Sequence, residues 1–386
     1  MARSFNKILA TGWRDQIRIG ITTYLKPGCS GTVISTLELV SCSSSLIISA
    51  LMFDSWIRVA DQVAVNGAAD EAAGYRLSAG TKYLRASGYY LAAERMQSRD
   101  YTPRWEAYAK GLELYHKGCA LRGLHVEKVE IPYECSAYTA IFVHDGSGTP
   151  RPTLVSVNGL DSMKEQVNMA GHGLANLERG MNTLFVDQPG TGEALRLQGL
   201  PATPYSEEWA SKAVDWLEQQ PEVDAKKIGM TGISLGGHFA PRAVAYEPRF
   251  ASGAAWGANH NWREVQDKRM AREGENPVPH YWGHVYWVFG AKDHADFLAK
   301  SNDMNLNGHL GRIKVPFLVT HGANDRQISV DYAHQAYAQL TNSPRAELKI
   351  FTPREGGVEH VGADNMAFGR DYIAGWFAET LGGKTA

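Results

Sequence analysis

Cysteine is scarce in this 386-residue chain, which has four, at positions 29, 42, 119 and 135. None of them forms a C-x-x-C pair, which sets aside a zinc site and a disulfide framework and leaves thiols of the reduced, cytosolic kind. Charge of one sign is equally lacking. With a net charge of −2 and a pI near 6.7 there is no electrostatic footprint for nucleic acid or an anionic membrane, so the expected partners are small molecules or protein. Long apolar runs are missing too: LVSCSSSLIISALMF, between Glu38 and Asp54, is fifteen uncharged residues, short of the roughly 20 that a membrane helix needs. It lies too deep for a secretory signal and reads as a buried hairpin or helix. The run from Pro27 to Ser49 has neither helical nor strand period, and residues 1–54 as a whole stay unassigned. What is plentiful is ordinary globular material. At 44% hydrophobic and 21% charged, the chain can bury a large core in one big domain or about two.

From Ser55 to His116 the pattern is helical. Trp56, Val59, Ala60 and Val63 recur at spacings of 3 and 4, and Tyr75 to Leu91 continues with few breakers. Strands come next at Val126 to Pro132 and Ala137 to Val143, which puts a boundary near Leu121 to Leu124. After Pro152 strands and helices alternate: strand Thr153 to Val157, helix Glu165 to Arg179, strand Thr183 to Val186, helix Glu207 to Gln219, then strands from Ile228, Ser252, Pro316 and Glu347. That rhythm predicts an α/β class fold, a mostly parallel sheet with helices on both faces. The rhythm breaks between Asn259 and Leu310, where Trp262, Tyr281, Trp282, Tyr286, Trp287 and Phe289 gather. Such an excursion is either a lid over an apolar substrate or packing between helices.

Within this frame Lys227 to Pro241, KIGMTGISLGGHFAP, reads as a strand running into a helix through Gly232-Ile233-Ser234-Leu235-Gly236. This is the nucleophile-elbow pattern, in which a serine stands on a strained turn and flanking glycines keep clear of the neighbouring strand and helix. The helix after it turns its free N–H groups and positive end towards the serine, making Leu235 N–H a candidate oxyanion donor. The alternative is a chance glycine-rich turn in a chain with 39 glycines. Two later strands lead to Asp325, in HGAND, and to His360, in GGVEH. The order Ser, Asp, His, each beyond a strand's carboxyl end, is the α/β-hydrolase arrangement. Asp325 as a plain turn residue and His360 as one of 13 histidines are the bland alternatives.

The exit of the first parallel strand, Asn158-Gly159-Leu160-Asp161-Ser162, lies where this fold supplies its second oxyanion donor. Gly159 lets the backbone approach a ligand, and Leu160 or Asp161 N–H is the candidate donor. The Asp161 carboxylate either faces substrate or caps the helix that begins at Ser162. The run Asp187 to Gly192 reads as a structural turn on the same edge.

Taken together, YLRASGYYLAAER, VNGLDSMKEQ, FVDQPGTGEA, GISLGGHFAPRA, HGANDRQI and GGVEHVGADN resemble one branch of the α/β-hydrolases. It contains dihydroxypseudooxynicotine hydrolase, the fungal polyketide-shortening hydrolases and the FrsA-like esterases. The resemblance covers about residue 55 onward; GLDSMKE and the helical leader are its more specific parts. It implies an α/β-hydrolase fold at 123–386, with 259–310 as a possible lid excursion, preceded by a helical domain at 55–122 that roofs the site and forms a homodimer. It also implies hydrolysis of a carbon-carbon bond next to a ketone, with no metal or other cofactor, and an active-site role near Asp161. The nicotine-degrading relative carries a glutamate there, one methylene longer. A carboxylesterase would use the same residues, because the triad is indifferent to what leaves. A peptidase would want propeller-like repeats ahead of the catalytic domain, and there are none; a non-catalytic binding scaffold would not need all three triad residue types.

Overall fold

The computed structural model describes residues 36–95, 97–272 and 280–385, with backbone alone for 36–48. Residues 1–35, which hold Cys29 and most of the unassigned segment, and the side chain of Cys42, lie outside the described residues. The chain falls into two units, residues 1–47 and 48–386, and the second holds the whole of the sheet.

Three helices come first: α1 (Thr36–Ala72), α2 (Arg76–Arg95) and α3 (Pro103–Leu121). The fifteen-residue apolar run therefore lies in a helix, and among the described residues no helix is long and apolar enough to cross a membrane. Tyr83, Ala86, Tyr90 and Ala93 of α2 bury against Ala107 and Leu114 of α3 and Phe53 and Ala60 of α1, the stripe that 3.6-residue periodicity creates.

The sheet then forms from β1 (His125–Tyr133), β2 (Ser136–His144) and β3 (Arg151–Val157). Helices α4 (Lys164–Met169) and α5 (His172–Glu178) lead to β4 (Asn182–Val186), followed by α6 (Gly192–Arg196), α7 (Ser206–Leu217) and β5 (Val223–Ile233). After α8 (Gly236–Tyr246) and β6 (Ser252–Trp256) come α9 (Trp262–Ala271), α10 (Tyr281–Val288) and α11 (His294–Lys300). Last are β7 (Phe317–Gly322), α12 (Val330–Ala338), β8 (Ala346–Phe351) and α13 (Met366–Leu381). The eight strands run in the order β1-β2-β4-β3-β5-β6-β7-β8, with β1, β2 and β4 paired antiparallel in turn and the rest parallel. Side chains alternate across the strands. Val155, Val157, Leu184 and Val186 enter one core with Trp209 and Phe239, whereas Leu154, Phe185, Leu318 and Trp256 enter another with Phe377 and Leu381. Helices thus cover both faces, as a parallel sheet requires.

One expectation needs correction. The single helix over Glu165 to Arg179 is two helices, because Gly171 adopts φ 90° between them, a left-handed conformation that ends one helix and starts another direction. The aromatic excursion is itself helical, and its rings pack on one another: Trp262 stacks on Phe289 at 4.9 Å, and Phe297 meets both rings edge-on.

Candidate active site

Strand β5 delivers Ser234 onto a turn where its backbone has φ 57°, and Ser234 N–H donates to Trp256 O at 2.8 Å. A left-handed conformation in a non-glycine residue is strained, and it is what lifts this hydroxyl off the sheet. Gly232 permits the turn, since a Cβ there would lie 2.0 Å from Gly236 O. Ser234 Oγ meets His360 Nε2 at 2.8 Å, and His360 Nδ1 meets Asp325 Oδ2 at 2.7 Å. Asp325 is fixed in turn: its Oδ1 accepts from Gln327 N–H at 2.8 Å and Ile328 N–H at 3.0 Å. Burial alone would raise the Asp325 carboxyl, but the His360 hydrogen bond and charge outweigh it and hold the group below its ordinary value. The loop before His360 is tied down by Asp364, whose carboxylate accepts from the N–H groups of Gly357, Val358 and Glu359 at 3.0, 3.2 and 2.9 Å. The structure therefore brings together the three residues picked out at the ends of β5, β7 and β8.

The turn after β3 closes over the serine. A Cβ on Gly159 would lie 2.9 Å from Ser234 Cβ, so the tight approach at this glycine is to the serine itself. Gly159 N–H donates to Ser162 Oγ, while the N–H groups of Leu160, Asp161 and Leu235 donate to no acceptor among the described residues. Free, fixed N–H groups on either side of Ser234 are what an oxyanion needs.

Asp161 does not cap a helix: α4 begins after Met163, with no side-chain cap. Its side chain is 1% exposed and meets Arg196 Nη1 at 2.6 Å and His284 Nε2 at 2.7 Å. Burial would raise the Asp161 carboxyl; the charges of Arg196 and His284 override it and hold the group far below the carboxylate range. His284 comes from α10, which places the aromatic excursion against this turn. Nothing in the sequence pattern singles out Arg196, its partner Glu94, or His284, because ion pairing between distant segments leaves no local period.

The run Asp187 to Gly192 does more than turn. Lys164, wholly buried, donates to Asp187 at 2.8 Å and Glu193 at 2.7 Å and lies 2.8 Å from Glu165. Gly192 is required there, since a Cβ would overlap the Asp187 carboxylate. The oxygens of Glu165, Asp187 and Glu193 lie within 4.8 Å of one another, as a metal would want, but the Lys164 ammonium already supplies the cation. Burial pushes the Glu165 carboxyl up to about 7, with Lys164 opposing. A folded-state value above the unfolded one means stability that is complete below the ordinary carboxylate range and lost as pH rises through about 7. Glu165→Gln, always neutral, should therefore gain on wild type as pH rises from about 5.5 to 8.5, by about 2 kcal/mol. Thermal melts across that range check this; an offset that does not vary with pH contradicts it.

A cavity of about 650 Å³ opens beside α9 and α12, lined by Lys268, Arg272, Asn324 and Tyr332. Asp325 borders it, but neither Ser234 nor His360 does. Of the thiols, Cys119 is buried and Cys135 exposed, both free.

Comparison with known proteins points the same way. Residues 208–384 match the prolyl oligopeptidase family model, which takes in the elbow, Asp325 and His360 and stops short of the leader. The chain is 28% identical over 319 residues to hydrolase acrC of Aspergillus aculeatus, covering 70% of this chain and 74% of that protein. It is 31% identical over 207 residues to 2,6-dihydropseudooxynicotine hydrolase of Paenarthrobacter nicotinovorans, covering 53% and 54%. Among solved structures, the 2,6-dihydroxy-pseudo-oxynicotine hydrolase superposes with a TM-score of 0.72 at 23% identity, over 86% of this chain and 88% of that one. That likeness speaks to the fold.

Proposed function

We propose that this chain, a member of the α/β-hydrolase superfamily, is a serine hydrolase that breaks a carbon-carbon bond next to a ketone in an aromatic or polyketide-like small molecule. The observation that carries the reading is the continuous hydrogen-bond line from Ser234 through His360 to Asp325, with unpartnered N–H groups flanking the serine. His360 Nε2 takes the Ser234 proton as Oγ attacks the carbonyl carbon, and the carbonyl electron pair moves to an oxyanion held by Leu235 N–H and Leu160 or Asp161 N–H. The intermediate collapses to an acyl-enzyme as the carbon-carbon bond breaks. The leaving carbon departs as an enolate or stabilised carbanion and takes the proton from His360. Water, activated by the same imidazole, then releases the acid.

The branch resemblance, with its ketone-adjacent cleavage, favours this substrate class over simple esters. In the same reading the enzyme is cytosolic, needs no metal and works as a homodimer through the leader, where exposed Val65, Tyr75 and Leu77 offer apolar surface to a partner. A panel of aryl β-diketones and short p-nitrophenyl esters tests the substrate class. The expected result is a kcat/KM at least about tenfold higher for a diketone, a difference of about 1.4 kcal/mol in barrier. Turnover of esters alone would make the protein a carboxylesterase, and turnover of neither, with no labelling by a fluorophosphonate, a binding scaffold.

A further inference from the structure

A line of buried ions joins the leader to the turn over Ser234. Arg104 of α3 donates through Nε to Glu94 Oε1 of α2 at 2.8 Å and through Nη1 to Gln97 O at 2.9 Å. Arg196 of α6 grips the same Glu94 with both arms, Nε to Oε1 at 2.9 Å and Nη2 to Oε2 at 3.0 Å. Its remaining nitrogen, Nη1, lies 2.6 Å from Asp161. The side chains of Glu94, Arg104 and Arg196 are 0% exposed and that of Asp161 1%. Beside them Arg95, also on α2, donates to Leu160 O at 3.0 Å, and its Nε lies 3.8 Å from Asp161. The indole of Trp287 packs against Arg104 at 4.9 Å and Arg196 at 5.5 Å.

We propose that Glu94, Arg104 and Arg196 are positioning residues, through which the leader sets the backbone of Leu160 and Asp161 for catalysis. This rests on the serine-hydrolase reading above.

Desolvating four charges is costly, and a buried ionic group is weak evidence for stability, since apolar packing of the same volume would often hold as well. What such a group supplies is geometry. A guanidinium is a rigid planar fork; Arg196 commits its fork to Glu94 while its third nitrogen stands in ion-pair contact with Asp161, so the position of α2 constrains the position of the turn. Leu160 is held at its carbonyl by Arg95 and Asp161 at its carboxylate by Arg196, and the peptide between them carries one of the free N–H groups. An oxyanion donor must lie within a few tenths of an ångström of its place, and a misplacement of about 1 Å can cost on the order of a hundredfold in rate. The leader is thereby a working part of the oxyanion site and not only its cover.

Glu94→Gln tests this, since it keeps the volume and removes the charge that both arginines share. The number of competent sites is first titrated with a fluorophosphonate, so that unfolded chains are not counted. Then kcat, KM and the Ki of an aryl trifluoromethyl ketone are measured, the last because its hemiketal on Ser234 places an oxyanion on the same N–H groups. The expected result is a fall in kcat per titrated site of about 10- to 100-fold, a KM within about threefold of wild type, and a Ki weakened in step with kcat. Glu94→Asp should recover part of both. The double variant Glu94→Gln/Arg104→Met, which removes a charge pair together and so is easier to fold, should show the same loss. Unchanged kcat and Ki per titrated site in either variant would overturn the proposal, and so would failure of both to fold, which would make the chain of ions purely structural. A wild type that takes up no fluorophosphonate would instead defeat the serine-hydrolase reading.

Discussion

Ser234→Ala is expected to abolish turnover, leaving on the order of one part in a million of wild-type kcat, as removal of a nucleophile that acts as a unit with its base does in serine hydrolases. The loss is chemical. Among the described residues Ser234 Oγ is the hydroxyl hydrogen-bonded to His360 Nε2, so its removal leaves the imidazole with no nucleophile to activate. Folding should not suffer: the Ser234 side chain is only part-buried, its one hydrogen bond is to His360, and the strained turn is held by Ser234 N–H on Trp256 O, which alanine retains. Melting temperature and circular dichroism should match wild type within about 0.5 kcal/mol, the usual range for a change away from packed features. Residual turnover above a few per cent would move the nucleophile elsewhere.

Asp325→Asn should cost about 10,000-fold in kcat, and the structure supplies the reason. Two backbone N–H groups, those of Gln327 and Ile328, converge on Oδ1, so the asparagine must turn its carbonyl oxygen towards them. Its NH2 then faces His360 Nδ1, where Oδ2 accepts a hydrogen bond in the wild type. A donor at that place forces the imidazole proton onto Nε2, and a protonated Nε2 cannot take the Ser234 proton. Measuring kcat on a chromogenic substrate checks it. A variant within tenfold of wild type would mean that another group orients the ring, with buried His321, 3.5 Å from Asp325, the place to look.

The elbow is readable in the sequence because sterics leave few choices: a backbone that must pass Gly236 O at 2.0 Å from any Cβ admits only glycine at 232. Asp325 and His360 are readable because strands end before them, and strand ends can be counted from alternation and turn residues. The ionic line is not readable. Glu94 and Arg196 are 102 residues apart, and neither a glutamate late in a helix nor an arginine after a glycine-rich turn carries a sign of its partner. Asp161 illustrates a local pattern outvoted by tertiary contact: Asp-Ser ahead of a helix looks like a cap, yet the carboxylate is drawn off by Arg196 and His284, and Met163 holds the cap position. The break at Gly171 is equally open to either reading, since a glycine within a helical pattern is tolerated as often as it interrupts. Residues 36–54 defeat period-counting for a different reason: a serine-rich helix has no apolar stripe for the eye to trace.

The central claim is that Ser234 is a nucleophile activated by His360 and Asp325. Its most direct test is to incubate wild type with an alkyl fluorophosphonate at neutral pH, digest, and map the adduct by mass spectrometry. The account predicts one adduct per chain, on the peptide holding Gly232-Ile233-Ser234-Leu235-Gly236, absent in Ser234→Ala and slowed by orders of magnitude in Asp325→Asn. An adduct on another residue, or equal labelling of Ser234 in the Asp325→Asn variant, would contradict it.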